Sequence, residues 1–263
     1  MRFVGLICCV CLFLCSCSSR EHAKTKLDKV NDSLSMIADE YMTKLTALDQ
    51  FNGVVLLKKK DQIVLKKAYN MRDDETSKLY VQEDSQFDIR SIAKLFAKVS
   101  VADLEQKGLL NRGDFVEKYL LNFPNGNRIT IAHLMHNKSG LPRELSNVEN
   151  TLELIPEQVI QLASKESLEF EPGSDQRYSN VGFQLVYFII GKLHGSTFAD
   201  YLNATFFKPL QMNASGSNFH DYISQKTNYA FGHYKNEDEI VCECSIPDDD
   251  MQMGNLYSTV DDL

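Results

Sequence analysis

The spacing of apolar residues predicts a chain that begins with a helix, continues into a hairpin and then becomes rich in helices. Between about Leu27 and Leu48 the apolar residues recur at steps of three and four, the period of an amphipathic helix, with an apolar face of Leu27, Val30, Leu34, Ile37, Tyr41 and Leu45. Gly53 then opens two runs of branched apolar residues around a polar turn, which predicts a β-hairpin over residues 53–69. No internal repeat is visible.

Beyond residue 91 the helical period returns, with Pro and Gly breakers between the segments. The predicted helices are residues 91 to about 107, a segment starting near Ile129, a segment after Glu171-Pro172-Gly173, and residues 198–210. For the first of them the apolar side is predicted to be Ile92, Leu95, Phe96 and Val99. For the helix after Glu171-Pro172-Gly173 the predicted apolar face includes Phe183, Leu185, Val186 and Ile189. A lone hairpin is marginally stable in water, so residues 53–69 need further strands. We therefore expect an antiparallel sheet, incomplete in this chain, that is flanked by helices and joined to a helical domain.

The N-terminus has the pattern of an export signal. Arg2 precedes an apolar run over residues 3–14, which is too short to span a bilayer and suits a signal peptide. The run ends in Leu14-Cys15-Ser16-Cys17, which looks like a bacterial lipobox. We expect a signal peptide over residues 1–16, lipidation of Cys17 and a polar tether over 17–25, so that acyl chains hold the protein at a membrane surface of the cell envelope. Cys15 is a second candidate, and a plain cleaved secretory peptide is the alternative.

Composition narrows the remaining possibilities. The 263 residues are 43% hydrophobic and 24% charged, as in globular proteins, and the formal net charge of −8 argues against a nucleic-acid partner. Five of the seven cysteines lie in the first seventeen residues, so the body is not a disulfide scaffold. Cys242 and Cys244 are interpreted as free thiols.

Ser91-Ile92-Ala93-Lys94 is the first candidate for chemistry. The S-x-x-K spacing places both side chains on one face of a helix, one turn apart. A serine hydroxyl needs a neighbour that takes its proton, and a lysine in that position can do so. The alternative is a helix that starts with a serine cap and carries an exposed lysine.

Tyr178-Ser179-Asn180 supplies a second element, Y-x-N, in which the phenol can relay a proton and the amide can hold a substrate amide. The pattern also occurs at residues 201–203 and 234–236. Tyr201 lies in a predicted amphipathic helix and is interpreted as packing, and Tyr234 lies in a charged stretch and is interpreted as surface. Tyr178 alone follows a Pro-Gly turn and precedes a helix, a loop placement that suits catalysis.

Together these motifs resemble the serine β-lactamase and penicillin-binding-protein family, in the branch of class C β-lactamases, D-alanyl-D-alanine carboxypeptidases and related esterases. The similar segments, in one order from about Gly53 to the last residue, are 87–94, 129–135, 139–142, 170–173, 178–183, 209–212 and 254–259. The resemblance implies a β-lactamase/transpeptidase-like fold and an acyl-enzyme mechanism. In it Ser91 is the nucleophile, Lys94 and Tyr178 manage protons and Asn180 binds the substrate. It implies a small-molecule or peptide substrate (D-alanyl peptide, β-lactam, or small ester or amide) and no metal or organic cofactor.

One departure from the family is the absence of its third motif, a K-T-G or H-x-G on a strand. The chain also ends at Leu263, just after the capping-box pattern of residues 258–261. We therefore expect a truncated member with a domain over residues 26–263, in which 26–90 begin the α/β part and 91–250 are mainly helical. The alternative function is a non-catalytic envelope lipoprotein, either a pseudoenzyme or a ligand binder.

Two further clusters are interpreted as structural. His133 and His136 form an H-x-x-H pair with no third ligand at a useful spacing, and Asp248-Asp249-Asp250 lacks the pattern of a calcium loop.

Overall fold

The computed structural model describes residues 28–146, 155–217, 228–236, 239–243 and 254–263. The predicted signal peptide, Cys17, the tether over 17–25, Cys244 and residues 248–250 lie outside these ranges. The chain divides into two compact units, one ending at Glu83 and the other running from Asp84 to Leu263. No helix in the described ranges has the length and apolar character needed to cross a bilayer.

The first unit is a helix with a hairpin. Helix α1 covers residues 28–47, and strands β1 (Gly53–Lys59) and β2 (Gln62–Tyr69) pair antiparallel, as predicted. The Asp39 carboxylate accepts hydrogen bonds from Lys67 Nζ and Tyr69 OH, both at 2.7 Å. These bonds hold the pKa of Asp39 below its ordinary value. The helix thereby supports a hairpin that would be marginal alone.

The predicted apolar face of α1 is wrong in part. Val30, Ile37 and Tyr41 are exposed, and Asp39 contacts the hairpin instead. The hydrogen bonds from Lys67 and Tyr69 to Asp39 turn this polar side of the helix toward the hairpin. The spacing of apolar residues in the sequence cannot predict such polar contacts.

The second unit contains most of the helices. In chain order its elements are β3 (Phe87–Asp88), a 3₁₀ turn (Arg90–Ile92), α2 (Ala93–Gln106), a 3₁₀ turn (Val116–Lys118), α3 (Ile131–Met135), α4 (Pro156–Ala163), α5 (Asn180–His194), α6 (Phe198–Leu202), a π turn (Asn203–Phe207), β4 (Gly232–Asn236), β5 (Glu239–Glu243) and β6 (Tyr257–Ser258). Helices α2, α3, α4 and α6 all pack against α5.

Helix α5 is the centre of this unit because it is apolar around most of its circumference, which is typical of a buried helix. Its fully buried residues include those predicted for the apolar face, Phe183, Leu185, Val186 and Ile189. Ser179 Oγ accepts the Gly182 N–H at 2.9 Å and so caps its first turn. The helix ends at Gly195, whose φ of 80° is left-handed.

The predicted helix after residue 91 is present, but three of the four residues predicted for its apolar side are exposed, and only Phe96 is partly buried against the core. Leu95 is 60% exposed, and Ile92 and Val99 are also exposed. The buried positions are instead mostly small: Ala93, Ala97, Ser100, Val101 and Leu104. Small side chains let α2 approach α5 closely, since the distance between packed helices depends on the side chains at the contact. The face of α2 that is buried is therefore the one whose small side chains allow contact with α5, and not the one with the largest apolar side chains.

The short strands of the second unit were missed. β3 pairs antiparallel with β6, and β4 pairs antiparallel with β5. Strands of two to five residues carry too little periodicity to be recognised from the sequence. Cys242 on β5 is disulfide-bonded, so the prediction of a free thiol is wrong for that residue.

Candidate active site

Ser91 lies at the start of α2, on the 3₁₀ turn that follows β3. The residue before it, Arg90, has a left-handed φ of 46°. Asp88 holds this turn, since its carboxylate accepts the Arg90 backbone N–H at 2.9 Å and lies 2.8 Å from Arg90 Nε. Burial raises the pKa of Asp88, although the Arg90 N–H and guanidinium oppose the shift. No spacing pattern in the sequence marks Asp88, and the local signal that points to it is an Asp two residues before Arg90, at the distance from which an Asp side chain can accept a backbone N–H in a turn.

The structure brings Ser91, Lys94 and Tyr178 together. Lys94 Nζ donates to Ser91 Oγ at 3.1 Å, which is the one-turn geometry predicted from S-x-x-K. Tyr178 OH lies 2.7 Å from Ser91 Oγ, although 87 residues separate the two in sequence. Both distances are within the range over which a side chain can take a proton from a nucleophile.

Positive charges surround the Tyr178 ring. Lys94 Nζ lies 5.0 Å and Arg143 Cζ 5.4 Å from its centroid, within the range of cation–π attraction. Partial burial of Tyr178 raises its pKa, but hydrogen bonds with Lys94 and Ser91 and the charges of Lys94 and Arg143 outweigh that effect. The net result is a pKa below the ordinary value for tyrosine, so the phenolate is easier to form here than in water.

The Y-x-N segment is placed by side-chain and backbone hydrogen bonds to the loop after α3. Ser179, which is fully buried, donates its hydroxyl to the Pro142 carbonyl at 2.7 Å. The Asn180 backbone N–H donates to the Arg143 carbonyl at 2.9 Å. Pro142, which ends the predicted segment 139–142, and Arg143, which follows it, therefore form the support for Tyr178 and Asn180.

Asn180 has a partner that the sequence analysis missed. Its Nδ2 donates to Glu144 Oε1 at 2.6 Å. A carboxylate only accepts hydrogen bonds, so this contact turns the amide nitrogen toward Glu144 and leaves Asn180 Oδ1 as the acceptor for another donor. No periodic or spacing signal marks Glu144, because the contact bridges 36 residues between a loop and the first residue of α5.

Ser91, Lys94, Glu144 and Asn180 line one cleft of about 260 Å³ in the second unit. Its other lining residues are Arg90 beside Ser91, Phe183, Gln184 and Tyr187 on α5, and Gly254 and Asn255. Gly254 has a left-handed φ of 110°, and a β-carbon there would overlap the Tyr187 ring. The cleft therefore requires glycine at this position.

The decoy motifs and the histidine pair lie elsewhere. Tyr201 is buried in α6 and Tyr234 is exposed on β4, as interpreted from the sequence. His133 belongs to the cap of α3, since its backbone N–H donates to Thr130 Oγ1 at 3.1 Å and its Nδ1 accepts the Thr130 N–H at 3.4 Å. Across the described ranges, no three His, Cys, Asp or Glu side chains are arranged to hold a metal ion.

Known proteins share both the sequence pattern and the fold. A family model described as Beta-lactamase matches residues 38–263. The chain is 31% identical over 170 residues to Penicillin-binding protein 4* of Bacillus subtilis, a match that covers 62% of this chain and 37% of that protein. The fold is similar to that of the octameric penicillin-binding protein homologue from Pyrococcus abyssi, with a TM-score of 0.70 and 24% identity over 85% of this chain and 53% of that one.

The fold is likewise similar to that of a class C β-lactamase, with a TM-score of 0.69 and 19% identity over 88% of this chain and 64% of that one. The chain thus spans less than two thirds of the length of each of these three relatives. The predicted β-lactamase/transpeptidase-like fold is confirmed. Because the family model covers most of the sequence and the solved folds agree with this one, the chain belongs to the β-lactamase family.

Proposed function

We propose that the protein is a serine hydrolase that forms an acyl-enzyme through Ser91. The observation that carries the proposal is the meeting of three groups from two distant segments. Ser91 Oγ lies 2.7 Å from Tyr178 OH and 3.1 Å from Lys94 Nζ. A structural serine has no need of a phenol and an ammonium at its oxygen, whereas a nucleophile does.

The reaction follows from these positions. Ser91 Oγ attacks the substrate carbonyl carbon as its proton passes to the phenolate form of Tyr178, which Lys94 and Arg143 favour by lowering the pKa of the phenol. The tetrahedral intermediate collapses as the carbonyl–nitrogen or carbonyl–oxygen bond breaks, and the same proton goes to the leaving group. Water then attacks the acyl-Ser91 ester by the reverse path, which releases the acid and restores the hydroxyl.

The substrate classes are D-alanyl peptides, β-lactams and small esters or amides. The names of the relatives, a penicillin-binding protein and a class C β-lactamase, support the first two. The cleft of about 260 Å³ has the size of a site for a small acyl group rather than for a folded protein.

The experiment is active-site labelling followed by intact-mass measurement. The purified protein and Ser91→Ala are each treated with a fluorescent penicillin and with a fluorophosphonate. A penicilloyl adduct that is lost in Ser91→Ala supports acylation and the β-lactam and peptide classes. A fluorophosphonate adduct alone supports an ester or amide hydrolase. A folded protein that neither probe labels would refute the proposal and favour the non-catalytic alternative.

We also propose that Cys17 carries a lipid that holds the protein at a membrane surface of the bacterial cell envelope. The support is the sequence Leu14-Cys15-Ser16-Cys17 after an apolar run. Cys17→Ser should move the protein from the membrane fraction to the soluble fraction, and Cys15→Ser is the matched control. Retention of Cys17→Ser with loss of Cys15→Ser would reassign the anchor to Cys15.

A further inference from the structure

Tyr178 depends on its backbone for its position. The residue lies in a loop, and its side chain is 40% exposed, so packing covers only part of the ring. Its hydroxyl must nevertheless stay at hydrogen-bonding distance from Ser91 Oγ. The hydrogen bonds made by the residues on either side of Tyr178 therefore matter more than the contacts of the ring.

One residue, Asn137, binds both neighbours of Tyr178. The Arg177 N–H donates to the Asn137 carbonyl oxygen at 2.9 Å, and the Ser179 N–H donates to Asn137 Oδ1 at 3.1 Å. In an extended segment the N–H groups of residues two apart point to the same side, where a neighbouring strand would offer two carbonyls. Here a single asparagine offers one backbone and one side-chain oxygen in their place.

Asn137 occupies this place because of how α3 ends. Its φ is 56°, and asparagine tolerates the left-handed region better than most residues. The Asn137 N–H donates to the Leu134 carbonyl and the Lys138 N–H to the His133 carbonyl, which is the hydrogen-bond pattern of a Schellman motif. The helix end thus fixes the backbone of Asn137, and Asn137 in turn fixes the loop of Tyr178.

We propose that Asn137 is a positioning residue for Tyr178, acting through the Ser179 N–H to keep the phenol on the Ser91 hydroxyl; this rests on the proposed serine-hydrolase function. Asn137 has no contact with substrate or with the reacting atoms in this scheme. Loss of its side-chain oxygen leaves the helix cap intact but removes the hydrogen bond to the Ser179 N–H, the backbone bond that directly follows Tyr178.

The test uses substitutions that separate the two roles of the side chain. Asn137→Gly retains the left-handed backbone and removes the acceptor, whereas Asn137→Asp retains both. Asn122, exposed and left-handed with a φ of 62°, provides the matched control Asn122→Gly. Asn137→Gly should lower kcat for acylation by about 10- to 100-fold with KM nearly unchanged, while Asn137→Asp and Asn122→Gly stay near wild type.

A double-mutant cycle with Tyr178→Phe distinguishes positioning from general loosening. If Asn137 acts through the phenol, Asn137→Gly changes the residual rate of Tyr178→Phe by less than about twofold. The same large loss in both backgrounds would overturn the proposal. Should the glycine variant not fold, Asn137→Ser replaces it, because its hydroxyl lies one bond closer to the backbone and falls short of the Ser179 N–H.

A spectroscopic measurement that needs no catalysis tests the role of Asn137 independently of the proposed serine-hydrolase function. In protein labelled with 3-fluorotyrosine, the ¹⁹F signal of Tyr178 is assigned by its absence in Tyr178→Phe. Asn137→Gly should shift this signal and raise its titration midpoint toward that of free tyrosine, and Asn122→Gly should not. An unchanged Tyr178 signal in Asn137→Gly overturns the proposal, even if no probe labels Ser91.

Discussion

Removal of the Tyr178 hydroxyl should abolish most of the acylation rate and leave the fold intact. In Tyr178→Phe the ring keeps its contacts with Lys94 and Arg143, which lie 5.0 and 5.4 Å from its centroid, although the hydrogen bond between Lys94 and the hydroxyl is lost. The oxygen 2.7 Å from Ser91 Oγ is lost, and Lys94 Nζ at 3.1 Å is the group that remains to take the proton.

The size of the rate loss follows from removing one of the two groups that can accept the Ser91 proton. A positioned acid or base contributes about 10²- to 10⁴-fold to a rate, so the barrier should rise by about 3–5 kcal/mol. The hydroxyl lies on a 40% exposed side chain, so the unfolding free energy should change by less than about 1 kcal/mol. The two effects differ enough to be measured separately.

The assay is the second-order rate of acylation by whichever probe labels Ser91, with urea unfolding of the same samples. Tyr234→Phe is the matched control, because Tyr234 begins the other non-helical Y-x-N and lies exposed on β4. A Tyr178→Phe rate close to that of Tyr234→Phe would show that the phenol moves no proton, and the mechanism would then rest on Lys94 alone.

Three further outcomes are expected, the third together with its control, Gly195→Ala. In Arg143→Gln the pKa of Tyr178 should rise, because a cation that favours the phenolate is gone. In a pH–rate profile, the part of the curve in which the acylation rate increases with pH should therefore move to higher pH. Glu144→Ala releases the asparagine amide at the start of α5 and should raise KM more than it lowers kcat for substrates with an acyl-side amide, as measured by steady-state kinetics. Gly140→Ala places a β-carbon on a backbone oxygen at a φ of 81° and should lower the unfolding free energy by more than about 2 kcal/mol in urea. Gly195→Ala, at a φ of 80° with no atom within 4 Å of the added carbon, should cost only about 1 kcal/mol.

The sequence predicted what local spacing controls. The pairing of Ser91 with Lys94 needs only one helical turn, and the 53–69 hairpin needs only two runs and a turn, so both could be recognised without a tertiary structure. Tyr178 was selected over Tyr201 and Tyr234 by its loop context alone, and it is the one that meets Ser91 Oγ.

Features set by distant contacts were missed. The buried face of α2 is defined by Ala93 and Ala97, which a search for large apolar residues passes over. β3 and β6 pair across about 170 residues through two positions each, and neither has a recognisable period. The contact of Glu144 with Asn180 likewise joins a loop to the start of α5, and only the folded chain brings the two together.

The backbone of Arg90 places stability and activity in competition at one residue. A side chain at a φ of 46° is strained by about 1–3 kcal/mol, and glycine would relieve it. The same turn fixes the direction of the Ser91 hydroxyl, so a more flexible backbone at residue 90 would hold that hydroxyl less precisely. The substitution Arg90→Gly should therefore raise the melting temperature of the protein and slow the acylation of Ser91. Thermal denaturation and the rate of labelling, measured on the same variant, would show both effects.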